Sequence, residues 1–557
     1  VHPTLLTEGN FLKQASSRTA PLFAKRGQVS VPTPQIGLAA RGYVYELGEE
    51  KTTYVRYHLG GRCGQGSRHV VGYGTHTAAA YMTSYRATIG LEIHAELKTK
   101  SKMFCGCAND PEALEPNSNI CPICMAHPGT LPVINRAAVA HVLRVGVAVG
   151  GTVADFSEFD RKNYFYPDIP KNYQISQYKY PLVAGGAIGP VAITRIHLEE
   201  DTARSSHGPD TSLVDFNRAG VPLMELVTEP VIHDAVTAVT FARELRLLLV
   251  YLGASDANLE KGEMRVEANV SIAPDMPGVP LGTKVEVKNL NSFRAVEQAI
   301  GYEIERQGAL LDAGDRVKQE TRGWDEHKQR TFSQRAKEES HDYRYFPDPD
   351  LPKLLLSEVP EWEMEALRRE LPELPWSARE RYVAEGLQPT IAAIIVGDID
   401  VHNFYEAVCK KLTTRDFRVS AANYLVTDLI GAVHKQGYVG ISLAELDAAA
   451  FSEIIIMVTE GTLSSRGAKD VLATWVQEGG SPRTLAERLG LVQVSDTDAL
   501  RSVVVDIIKA NEGVAAEYRG GKEAALQFLV GQAMKATKGA ANPATLQSLF
   551  REEMKRT

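Results

Sequence analysis

Between Arg86 and Leu97 the chain alternates with a period of two: Ile89, Leu91, Ile93 and Ala95 fall on one side, Gly90, Glu92, His94 and Glu96 on the other. Successive side chains leave a pleated backbone in opposite directions, so this period predicts a strand buried on one face only. Such a strand requires a sheet with one apolar and one polar face, and it sets two carboxylates and an imidazole in one row on the polar side. Further strand-like runs lie at Pro190–Leu198, Met264–Ile272 and Lys284–Lys288, with helical stretches at Arg136–Val149 and Ala235–Leu252. Gly/Pro turns divide them. The pattern predicts an α+β fold with a mixed, largely antiparallel sheet over residues 82–374.

The character changes at Leu371-Pro-Glu-Leu-Pro375. Helical periodicity then prevails, at Ser377–Glu385, Asn403–Lys411, Ala421–Lys435 and Leu443–Val458, and a second break falls at Gly479-Gly-Ser-Pro482. Two all-α domains are expected, over 375–490 and 491–557. Residues 1–40 hold one acid, Glu8, among scattered basic and hydroxyl residues, and show no sustained periodicity. Residues 1–81 are expected to be an extension outside the folded body. Three readings stand for them: translated sequence upstream of a start at Met82 or an idle extension, a folded module, or a targeting segment, which would make the location organellar instead of cytoplasmic.

Composition removes several classes. The 557 residues carry 61 Lys+Arg against 69 Asp+Glu, which is no basic coat for nucleic acid. Six cysteines are too few for a disulfide scaffold. The best apolar run, Ala137 to Ala154, is interrupted by His141 and Arg144, so no membrane span is expected.

Four of the six cysteines form two tight pairs, Cys105-x-Cys107 and Cys121-x-x-Cys124. Knuckles of this spacing suit a tetrahedral tetrathiolate site, and four thiolates with no open position would make the zinc structural. The alternative is four reduced cysteines without metal. Cys63 has no nearby partner and receives no role.

The acidic residues also cluster. Besides Glu92 and His94 there are Glu199-Glu200-Asp201 after His197, the alternating Arg265, Glu267 and Asn269, and Glu286 with Lys288 and Asn289. Each alone reads as a solvated strand face. Together they offer oxygen ligands and an imidazole, the donors of a Mg²⁺ or Mn²⁺ site, with Arg161, Lys162 and Asn163 near by in the sequence. Carboxylate-held magnesium beside cations suits phosphoryl transfer, where positioning and charge neutralisation do most of the catalysis. There is no Walker loop, dinucleotide fingerprint or nucleophile elbow. Lys98-Thr-Lys-Ser-Lys102 reads as a basic surface turn.

At these residues the chain strongly resembles the B subunit of the aspartyl/glutamyl-tRNA amidotransferases, the GatB family. The resemblance is carried by Ile89-Gly-Leu-Glu-Ile-His-Ala-Glu-Leu97, Asn117-Ser-Asn-Ile-Cys-Pro-Ile-Cys124 and Phe159-Asp-Arg-Lys-Asn-Tyr-Phe-Tyr-Pro-Asp168. His197-Leu-Glu-Glu-Asp201, Asp215-Phe-Asn-Arg-Ala-Gly-Val-Pro-Leu-Met-Glu225, Lys288-Asn-Leu-Asn-Ser-Phe293 and Asp342-Tyr-Arg-Tyr-Phe-Pro-Asp348 continue it. It runs from Met82 to the end.

The resemblance implies a heterotrimer in which the A subunit, an amidase, releases ammonia from glutamine, and the small C subunit straps the amidase to the B subunit. It implies that the B subunit uses ATP to phosphorylate the side-chain carboxylate of Glu-tRNA(Gln) or Asp-tRNA(Asn), and that ammonia then displaces phosphate. This is carbon–nitrogen ligase chemistry on a cradle domain followed by a helical and a tail domain. It implies Glu92, His94, Glu199 and Glu200 around magnesium, and Lys162, Asn163 and Tyr164 at the phosphate or carboxylate. Arg265 and Glu267 belong to a motif that more often carries Asp at 267, which puts metal ligation there in doubt. Glu286 and Lys288 are expected behind the site. Arg322, Arg344 and Tyr345 either line the substrate cleft or make structural pairs. In the near-neutral tail, Lys535 and Lys538 either touch tRNA phosphates or complement a helix dipole. The competing hypothesis is a non-catalytic, tRNA-docking scaffold within the same complex.

Overall fold

A computed structural model describes residues 84–336, 343–435, 443–493, 497–537 and 541–556, together with the backbone of four earlier strands. Those strands, Gly27–Val29, Ala40–Glu46, Thr53–Leu59 and Gly72–Thr75, pair in sequence order as an antiparallel sheet of their own. Cys63 and Lys538 lie outside the described residues.

The main body is built on a ten-stranded sheet. Its principal elements are β1 (Tyr85–Glu96), α1 (Arg136–Ala148), β2 (Asp160–Asn163), β3 (Tyr173–Ser176), β4 (Val191–Glu200) and β5 (Pro222–Thr228). These are followed by α2 (Ala235–Tyr251), β6 (Met264–Pro274), β7 (Val285–Leu290), α3 (Phe293–Asp312), β8 (Glu320–Asp325) and β9 (Arg330–Ala336). The sheet order is β9-β8-β7-β6-β1-β5-β4, continued by two-residue strands at Val183–Ala184 and Thr152–Val153, with a tenth, Ala187–Ile188, pairing β4 off this path. β7 and β8 pair parallel; β4, β5 and β1 pair antiparallel, as do β6 and β7. The fold is therefore α+β with a mixed, mostly antiparallel sheet, as expected. β2 and β3 belong to a separate three-stranded sheet with Phe346–Pro347.

The alternation of β1 decides its two faces. Ile89, Leu91, Ile93 and Ala95 are fully buried, while Glu92, His94 and Glu96 between them are not. The helices begin where short polar side chains can accept their free N–H groups. Asn135 caps α1, Asp234 caps α2 and Ser292 caps α3.

Beyond Leu371 the chain is helical, as predicted. A core including Tyr382, Tyr405, Phe451 and Trp475 takes in Leu247 and Tyr251 of α2. A separate core with Leu500, Leu529, Leu546 and Phe550 serves residues 497–556. The single helix expected over Ala421–Lys435 is instead Arg415–Tyr424, a π-helical turn Leu425–Leu429, and Ile430–Lys435. In that turn the Thr427 hydroxyl donates to the Asn423 carbonyl at 2.8 Å, a local bond that competes with the regular ladder. Among the described residues no helix is long and apolar enough to cross a membrane.

The two faces of β1 predict opposite mutational effects. Ile93→Ala removes fully buried volume and should cost about 2–5 kcal/mol. Glu92→Gln, on the polar face, should cost no more than about 1 kcal/mol. Urea unfolding of both variants checks this, and equal losses would contradict the assignment of faces.

Candidate active site

Cross-strand register assembles the polar face. His94 of β1 lies opposite Glu225 of β5, and Glu225 lies opposite His197 of β4. His94 Nε2 is 3.3 Å from Glu225 Oε2, 3.4 Å from Glu199 Oε1 and 3.9 Å from Glu92 Oε1. His197 Nε2 reaches the same Glu225 oxygen at 3.4 Å. Glu199 also accepts a hydrogen bond from Ser176 Oγ at 3.1 Å. Ligand atoms of Glu92, His94 and Glu225 lie within 4.8 Å of one another, and so do those of His197, Glu199 and Glu225.

The charges balance internally. Burial opposes charge on His94, yet its bonds to Glu199 and Glu225 push its pKa up to about 10. Burial likewise works against ionisation of Glu199, and Lys162 and His94 outweigh it, holding the carboxyl below its ordinary value. The same opposition at Glu225 is won by His197 and His94, which hold it well below. Glu92 goes the other way: burial and the neighbouring Glu225 raise it. The carboxylate oxygens suit Mg²⁺ or Mn²⁺, and a cation bound there would displace the proton that the same carboxylates hold on His94.

Aromatic side chains gather at Lys162. Lys162 Nζ lies 5.3 Å from the Tyr343 ring and 5.9 Å from the Tyr164 ring. Burial disfavours its charge, but Glu199 and Tyr345 reverse this and raise its pKa. Tyr345 stacks on Tyr178 at 4.3 Å, and burial pushes its phenol up to about 12. Asn163 donates to the backbone carbonyls of Tyr343 and Arg344 at 3.2 and 3.0 Å, so it positions this segment. The Tyr164 hydroxyl donates to Gln174 at 3.0 Å.

Not every predicted residue joins them. Glu200 turns away from Glu199, as alternation along β4 requires. It pairs with Lys171 and accepts the Ile175 N–H at 3.0 Å. Arg265 pairs with Asp201 at 2.6 Å. Glu267 and Glu286 surround Lys288 at 2.8 and 3.8 Å, and Glu286 accepts from Thr321. Arg322 pairs with Glu320 at 2.6 Å and lies 3.7 Å from Glu303 of α3, which is structural pairing. Arg344 has a left-handed backbone, φ 46°. Lys535 lies in the last turn of the helix Glu523–Ala536. Glu225 and Tyr343 are not among the residues that the sequence singles out. Both lie within the quoted motifs, but only pairing across strands separates Glu225 from its neighbours.

The four cysteines converge as their spacing predicted, with all sulfur atoms within 4.8 Å of one another. The Cys121 N–H donates to Cys124 Sγ at 3.1 Å, as in a metal knuckle. This donor set is compatible with structural zinc.

Glu96 and Asp201 share one site and titrate apart. Burial is opposed at Asp201 by Arg265 and Arg218, which lower it to about 2. Burial and the Asp201 charge raise Glu96 to about 8. Between the ordinary value of 4.5 and about 8, the folded state therefore holds more protons than the unfolded chain, and stability falls as pH rises. Glu96→Gln removes that loss. Its advantage over the parent should be nil below about pH 4.5 and reach on the order of 1–3 kcal/mol by pH 8. Unfolding in chelator-containing buffer at both ends of this range tests it, and a pH-independent difference would refute it.

Two families of known proteins match the chain. The GatB/GatE catalytic domain family matches residues 87–360, and the GatB domain family matches residues 403–554. A protein of Thermomicrobium roseum is 44% identical over 84% of this chain and 99% of its own length. One of Brevibacillus brevis is 43% identical over 85% of this chain and 99% of its own. One of Crocosphaera subtropica is 42% identical over 84% and 97%. All three are named as the B subunit of aspartyl/glutamyl-tRNA(Asn/Gln) amidotransferase.

Proposed function

The chain belongs to the GatB/GatE family, and from that premise we propose that it is the component of a tRNA-dependent amidotransferase that activates the misacylated amino acid. The substrates are ATP and Glu-tRNA(Gln) or Asp-tRNA(Asn). The partners are an amidase (the A subunit) and a small C subunit, in a heterotrimer acting in the cytoplasm. The observation that carries the reading is the convergence of half-buried Glu92 and His94 with the buried Glu199 and Glu225, within reach of the charge of Lys162.

A carboxylate does not react with ammonia at neutral pH. Its oxygen first attacks the γ-phosphorus of ATP, ADP leaves, and an acyl phosphate remains. Ammonia then adds to the acyl carbon, phosphate leaves, and a proton is lost as the amide forms. Mg²⁺ held by Glu92, His94, Glu199 and Glu225 would supply charge neutralisation for the triphosphate. Lys162, kept cationic by Glu199, is placed to draw the anionic side chain of the aminoacyl group toward the same spot. Tyr164, Tyr343 and Tyr345 limit water around that lysine. Asn163 acts by holding Tyr343 and Arg344 in place. Structural zinc on the four cysteines completes the reading.

The test is ATP hydrolysis by the complex reconstituted with its amidase partner. Misacylated tRNA should stimulate turnover, chelation should abolish it, and Glu199→Gln should lower it on the order of 10²–10³-fold with tRNA binding retained. Absence of tRNA-dependent ATP turnover in the parent complex would instead favour the docking-scaffold role.

A further inference from the structure

Lys98 and Lys102 behave differently although both belong to a run that reads as a basic surface turn. Lys98 is exposed and pairs with Asp256 at 2.8 Å. Lys102 is fully buried. Its Nζ donates to the Phe216 carbonyl at 3.1 Å, one acceptor for three donors. Glu200, whose Oε2 would stand 3.9 Å from a β-carbon added to Gly220, is paired with Lys171. An ammonium so enclosed, with a single neutral acceptor, is costly unless negative charge stands near it.

That charge lies across Gly220. A β-carbon added to Gly220 would stand 3.6 Å from Lys102 Cδ and 3.7 Å from Cys124 Cβ, so the lysine stem and the cysteine flank one glycine. Gly220 has φ +86°, which excludes a side chain without strain and keeps the approach open. Lys102 N also donates to Cys107 O at 3.0 Å, so the residue is held between the two cysteine pairs. Four thiolates around Zn²⁺ leave two net negative charges, which a buried site must offset.

We propose that Lys102 is the counter-charge of the tetrathiolate centre, a positioning residue that lets a doubly negative zinc site sit buried beside the turn between β4 and β5. The proposal rests on the zinc reading of the four cysteines. Its reach into the main sheet follows from the backbone. Lys102 N donates to Cys107 O at 3.0 Å, Met103 N to Gly220 O at 2.7 Å, and Gly220 N to Asp201 O at 2.9 Å, two residues beyond Glu199. Loading the knuckle would thus stiffen the end of the strand that carries Glu199.

The experiment measures zinc stoichiometry and affinity of the full chain by competition with a chromophoric chelator, with circular dichroism to confirm folding. Lys102→Met should weaken zinc about 10–100-fold, and Lys102→Arg, which keeps the charge, should stay within about threefold of the parent. A Lys102→Met variant that holds zinc as tightly as the parent overturns the proposal. So does a Lys102→Arg variant that loses as much as Lys102→Met, because shape and not charge would then matter. Should Lys102→Met fail to fold, Lys102→Gln replaces it in the same comparison with the same outcomes. A parent chain that binds no zinc overturns the zinc reading itself, and is distinguished by its stoichiometry.

Discussion

Glu225 is held between two imidazoles, His94 from one neighbouring strand and His197 from the other, and the polar face is organised around that contact. Glu199 and Lys162 complete a group of enclosed charges in which each member is compensated by another. Removing one partner leaves the rest desolvated and unpaired. The sheet must therefore keep its register, since a slip of one residue would send the carboxylates into the apolar side and Leu91 and Ile93 into the cluster.

The two candidate metal environments lie on either side of β4, and adjacent residues serve them. Glu199 faces the acidic cluster. Glu200 faces Lys171 and the knuckle side, where Gly220 brings Cys124 and Lys102 together. The pleat accounts for this division without any special loop. It also explains why two carboxylates read as one acidic knot take up separate work.

Much of this was legible in the chain. The alternation of β1, the helical runs after Leu371 and the cysteine knuckles each arise from local period or spacing, and each appears where it was expected. Asn163 was visible as a candidate but its partners were not, and Arg322 carried two readings, cleft lining or structural pairing, that its own neighbours in sequence left open. Asn163 binds carbonyls far along the chain, and Arg322 faces Glu303 on a helix. A side chain's partner across a sheet or beneath a helix leaves no mark on its own sequence neighbours.

The division has one physical cause. Periodicity, capping and knuckle spacing are decided by residues a few positions apart, so the sequence by itself determined the α+β architecture, the polar face of β1 and the convergence of four sulfur atoms. Burial of charge is decided by whatever the fold brings alongside. Only the tertiary structure could join Glu225 to His94 and His197, part Glu200 from Glu199, and turn Lys102 from a surface lysine into an enclosed ammonium beside Cys124.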